Sequence, residues 1–203
     1  MNPEELAVSE NLRKLATGLS VSLESVQLEV NSADPDKDYY GEAWRHAGGR
    51  AYWDPKTDKP IIRIDLPLSG SLKQKISTAR TVFRHELGHL DLHMYKYKKE
   101  ASRTREKDLW EFIPDEVDVA VWEYSKGLTT EANLRRSLNK LAEIVIQQSR
   151  GGRGEGISRK DAYEKVADII ESSTYSILGK GIRPKYSGLY RTGYMKLNLS
   201  YKR

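Results

Sequence analysis

Cysteine is missing altogether from these 203 residues, which excludes a disulfide framework and any thiolate metal site. Metal ligands, if there are any, must be imidazoles or carboxylates. Long apolar runs are missing too: no stretch approaches the roughly 20 consecutive residues that a membrane-spanning helix needs. The opening MNPEELAVSENLRKLATGL lacks the basic start and apolar core of a secretory signal. With no cysteine to oxidise, the cytoplasm is the expected compartment. No internal repeat is visible. The length fits one domain, or one domain with a helical extension.

Histidine is scarce, with 4 in the chain, yet three of them fall in FRHELGHLDLHMY, residues 83–95. His85, His89 and His93 recur every four residues and so share one face of a helix. His85 and His93 would stand about 12 Å apart along the axis, too far to share one ion across His89. At most two neighbours of the row can do so. Only the first pair brackets a glutamate in the order H-E-x-x-H. Glu86 is turned about 100° from His85, beside the ligands without having to be one, where a general base would stand. His85 and His89 are therefore the expected ligands. A chance H-E-x-x-H in such a chain has odds on the order of one per cent at ordinary composition. The bland alternative is a surface helix with solvated His and Glu. Against it, Ser71-Leu72-Lys73-Gln74 reads as a capping box, and Leu72, Ile76, Ala79, Phe83, Leu87 and Leu90 form an amphipathic stripe. Gly88 inside that helix implies close packing there.

Around this helix the spacing predicts a helix over 3–19 and a strand over 21–30. A turn-rich loop NSADPDKDYYGEAWRHAGG follows, then a hairpin over 50–66. The His helix is expected over 72–96. A charged linker, KYKKEASRTREKD, then leads to helices near 115–127, 130–149 and 158–177. A small sheet followed by helices is an α+β arrangement.

Two histidines leave a third ligand to be found. Glu116 is the best candidate, because Pro114 and Asp115 mark a helix start and Val117, Val119, Ala120, Val121 and Trp122 make that helix mostly buried. An unpaired carboxylate on a buried helix is costly, and a cation would neutralise it. Glu111, Asp115, Asp118 and Glu123 compete. The plainer reading is a glutamate favouring its helix N-terminus.

The run from Arg80 to His93, RTVFRHELGHLDLH, resembles the ImmA/IrrE family of zinc-dependent regulatory proteases. That family commonly shows an arginine five residues before the first histidine, then HELGH, then a further histidine. Arg80 and His93 occupy the matching places. Glu116-Val117-Asp118-Val119-Ala120-Val121 is similar to the family's later helix, whose glutamate is the third ligand. The resemblance covers about residues 20–130. It implies a zincin-like, gluzincin-type α+β fold, with residues 1–128 as the metallopeptidase domain and 129–203 as a helical extension. It implies Zn2+ held by His85, His89 and Glu116, with Glu86 activating a zinc-bound water for attack on a peptide carbonyl. His93 is a further catalytic candidate, hydrogen-bonding the oxyanion or a ligand, or else only a partner for Asp91 or Asp118. Family members act on cytosolic regulatory proteins, typically helix-turn-helix repressors. A substrate segment is expected to lie extended along an edge of the 50–66 hairpin.

Acidic residues are missing from 179 onward, where Lys180, Arg183, Lys185, Arg191, Lys196, Lys202 and Arg203 alternate with Tyr186, Tyr190, Tyr194 and Tyr201. Such a tail attracts phosphates and offers stacking surfaces, so nucleic acid is a possible partner. The alternative is a tail that packs its tyrosines on the domain. Arg150 to Gly156 reads as a flexible hinge between the last two helices, and His46 as a surface histidine. Two functions stand: a zinc endopeptidase cutting a regulator, or a nucleic-acid- or partner-binding protein with a structural or relic zinc site.

Overall fold

The computed structural model describes residues 2–19, 23, 25–32, 48–67, 69–100, 109–151, 159–183, 185–186 and 195–196. Within them the chain is α+β, with a small three-stranded mixed sheet near the N-terminus and five helices. It divides into two compact units, residues 1–104 and 105–203. No helix among the described residues is long and apolar enough to cross a membrane.

The first unit opens on α1 (Pro3–Gly18), started by a capping box. Glu5 N–H donates to Asn2 Oδ1 at 2.8 Å, and Asn2 N–H donates back to the Glu5 carboxylate at 2.8 Å. The other Glu5 oxygen accepts from Ser32 N–H at 2.9 Å, so one side chain caps the helix and ties it to the end of β1 (Gln27–Ser32). Val8, Leu12 and Ala16, spaced by four, form the buried face of α1.

β1 pairs in parallel with β3 (Lys59–Leu66), which pairs antiparallel with β2 (Gly48–Asp54), giving the order β1-β3-β2. β3 is central because it is the most apolar strand: Ile61, Ile62, Ile64 and Leu66 are all buried. The expected hairpin is present. Its turn is set by Asp54, which accepts from Lys56 N–H at 3.0 Å and Thr57 Oγ1 at 2.8 Å. Asp58 closes the turn at φ 51°, a left-handed conformation that a short polar side chain tolerates. Of the strand expected over 21–30, residues 27–30 lie in β1, which runs on to Ser32, and the described residues 23, 25 and 26 do not. Its register is fixed by pairing Gln27–Ser32 with Ile61–Leu66. Residues 20–22, 24 and 33–47, with His46, lie outside the described residues.

α2 (Leu72–Glu100) carries the histidines. Its expected capping box is formed: Ser71 N–H donates to Gln74 Oε1 at 2.8 Å, and Gln74 N–H to Ser71 Oγ at 3.4 Å. Ala79, Phe83, Leu87 and Leu90 are buried as the stripe requires, although Leu72 at its start is exposed. Lys75 Nζ meets Glu4 at 2.8 Å and joins α2 to α1. The helix runs on to Glu100, through the first residues of the expected linker. Lys, Tyr and Glu contain no breaker, and Lys98 and Lys99 in the last turn oppose the negative end of the helix dipole.

The second unit holds α3 (Leu109–Ser125), α4 (Glu131–Gly151) and α5 (Arg159–Leu178), followed by the paired short strands β4 (Lys185–Tyr186) and β5 (Met195–Lys196). Its core is an apolar cluster in which Ile113, Val117 and Val121 of α3 meet Leu134 and Leu138 of α4 and Tyr163, Val166 and Ile170 of α5. Gly127, at φ 67°, makes the left-handed step that ends α3. The spacing predicts this helix near 115–127, with Pro114 and Asp115 marking its start, but it begins at Leu109 with Pro114 inside it. Proline removes one helical hydrogen bond, yet Ile113 is fully buried in the core, and that packing keeps the preceding turn helical.

Candidate metal centre

On α2 the histidine row is built as its spacing demands. The His85 and His89 rings meet edge to face, with centroids 4.9 Å apart and planes at 83°. The His93 ring stands 6.1 Å beyond His89. His89 is buried, and His85 is partly buried. Two imidazoles at contact distance, one of them out of water, form half a ligand set.

Glu116 lies two turns into α3 rather than in its first turn. The helix dipole acts on the terminal turn, so it does not explain a carboxylate at this position. Among the described residues, His85, His89 and Glu116 form one group that could hold a metal ion, their ligand atoms all within 4.8 Å of one another. Donors around a tetrahedral zinc stand about 3.3 Å apart, which is inside the 4.8 Å span of this group. Two imidazoles and a carboxylate also suit zinc, and they leave a fourth position free for water. The competitors Asp115, Asp118 and Glu123 are not in the group, and the Glu111 side chain lies outside the described residues. His93 is not in it either.

Glu86 is buried, 6 % exposed, and projects toward β2. A Cβ added to Gly49 of β2 would lie 2.3 Å from Val82 Cγ1 and 2.8 Å from Glu86 Oε1. Only the bare backbone of glycine lets the strand lie this close to the carboxylate. The sequence reading gave Gly49 to a loop and missed this approach. The signal was present in the pair Gly48-Gly49 directly before an alternating strand. Gly88, singled out for close packing, is buried.

Tyr97 was also missed. Its Oη lies 3.0 Å from His89 Nδ1. Extending the four-residue row one step past His93 would have found it, but the sequence reading had assigned that position to a linker.

The basic tail is only partly within the described residues. Ile182 N–H donates to Thr174 Oγ1 at 2.8 Å, and Ile182 packs against the apolar cluster. Arg183 pairs with Glu171 and Glu164 at 2.9 Å each and with Asp168. The Glu171, Asp168 and Glu164 carboxylates raise its pKa above the ordinary arginine value. Arg183 is thus engaged within its own unit. Tyr190, Tyr194, Tyr201, Arg191, Lys202 and Arg203 lie outside the described residues. Compared with protein-family models, curated proteins and solved structures, the chain finds no match.

Proposed function

We propose that this protein is a cytoplasmic zinc-dependent endopeptidase of the zincin type, resembling the ImmA/IrrE proteases and cutting a regulatory protein. The observation that carries the reading is the division of labour at H-E-x-x-H. His85 and His89 join Glu116 in one ligand group, while Glu86 is buried outside that group. A purely structural site has no use for a carboxylate there.

Zinc, when bound, supplies a Lewis acid that polarises the peptide carbonyl and acidifies water. Glu86 takes the proton as water adds to the carbonyl carbon. It passes that proton to the amine as the C–N bond breaks. β2 is an edge strand of the sheet, and Gly49 brings its backbone against Glu86. An extended substrate segment adding to β2 would therefore run past the base.

The test is cleavage of helix-turn-helix repressors encoded near this protein's own gene by zinc-loaded wild type and by Glu86→Gln. Wild type is expected to cut, to stop with a chelator and to recover with zinc. Glu86→Gln is expected to hold zinc and cut at least about 10²-fold more slowly. Equal turnover by the two would leave a structural metal site in a binding protein as the better account.

A further inference from the structure

The row that carries His85, His89 and His93 continues to Tyr97. Helical side chains lean toward the N-terminus, so a long side chain at 97 reaches back along the face it shares with 89. Its ring stands 6.3 Å from that of His89, and its Oη lies 3.0 Å from Nδ1. An imidazole offers two nitrogens, and this contact engages one of them.

We propose that Tyr97 is a positioning residue of the metal centre: its phenol oxygen accepts from His89 Nδ1–H and thereby presents the Nε2 lone pair of His89 to the metal. The inference rests on the metal reading above and adds the ligand atom and what selects it. A neutral imidazole carries one proton on either nitrogen. An acceptor at Nδ1 holds the proton there, so Nε2 carries the lone pair and the ring cannot turn freely about its Cβ–Cγ bond. A phenol serves either as donor or acceptor. With Nε2 on a metal, Nδ1 keeps its proton and Tyr97 accepts.

The turn that carries Tyr97 is itself held. The next residue, Lys98, meets Asp58 at 3.1 Å and lies 4.6 Å above the Trp53 ring, while Trp53 Nε1–H donates to Asp58 at 3.1 Å. These contacts fasten the late turns of α2 to the β2–β3 hairpin, so the phenol is presented from an anchored helix.

The experiment compares zinc affinity of the full-length wild type and Tyr97→Phe by competition with a chelating dye. It adds long-range 1H–15N spectra of the histidine rings in zinc-loaded protein. Phenylalanine keeps the ring and removes only the oxygen. We expect Tyr97→Phe to melt near wild type but bind zinc about 10–100-fold more weakly. In the wild type, His89 is expected to show a metal-shifted Nε2 and a slowly exchanging Nδ1–H; in the variant that proton exchanges fast. Equal affinity, or zinc on Nδ1 of His89, overturns the proposal. If Tyr97→Phe does not fold, the wild-type spectrum decides alone, by the nitrogen that is metallated and the protection of the other. Wild type that takes up no zinc removes the metal centre and this inference with it, a failure distinct from equal binding by the two proteins.

Discussion

Both units have an apolar core, but the polar contacts named above lie differently in the two. The second, residues 105–203, has an apolar cluster shared by three helices, with Tyr163 its largest fully buried side chain, and Arg183 pairs with Glu164, Asp168 and Glu171 of α5. The first, residues 1–104, has an apolar layer between sheet and α2, and polar contacts that join one element to another. Glu5 joins Asn2 and Ser32, Lys75 joins Glu4, and Lys98 joins Asp58. The first unit holds His85, Glu86 and His89, and the second holds Glu116.

The largest effect is expected in the apolar cluster of the second unit. Leu138→Ala removes a fully buried side chain and is expected to cost about 2–5 kcal/mol, read by chemical denaturation. Almost as large is the effect expected at the close approach of β2 to α2. Gly49→Ala sets a Cβ 2.3 Å from Val82 Cγ1, and a β-branched side chain in a helix has little rotamer freedom to yield. Overpacking of this kind costs about 1–3 kcal/mol. The same methyl displaces Glu86, so cleavage should fall while zinc content stays near wild type. Variant protein that cuts as fast as wild type would show that Glu86 does not depend on this approach.

Much of this was legible because its physics is local. H-E-x-x-H names its helix face by spacing alone, and the Ser71–Gln74 box and the Ala79–Phe83–Leu87 stripe are short-range patterns that the structure contains. Glu116 was legible as a charge on an apolar helix. What could not be read depended on partners distant in sequence. The strand ends where β3 dictates, α3 starts where Ile113 is buried, and Gly49 is special only because Glu86 comes to it. Tyr97 is hidden for another reason: it stands in a run of charge that looks like a linker, although lysine and glutamate favour helix.

Smaller effects are expected at the polar contacts of the first unit. The Ser32 and Asn2 backbone N–H groups hold the Glu5 carboxyl below its usual pKa. Its contribution to stability is therefore complete above the ordinary glutamate value and is lost as pH falls through the lowered one. Glu5→Gln should cost about 1 kcal/mol near neutrality, and less as acid protonates the wild type. A denaturation series from pH 7 to pH 3 reads this directly. Lys98→Ala should cost less still, about 0.5–1 kcal/mol, because the Lys98–Asp58 pair is largely exposed. Ending the chain after Arg183 keeps Ile182 and Arg183 but removes β4 and β5. It should lower the melting temperature only slightly and abolish any low-salt DNA binding by the basic tail.

The ligands of the proposed zinc site are His85, His89 and Glu116, and not His93. Metal analysis of purified wild type, Glu116→Gln and His93→Ala is expected to find about one zinc per chain in wild type and His93→Ala, and a sharp loss in Glu116→Gln. Zinc retained by Glu116→Gln and lost from His93→Ala would contradict this ligand set.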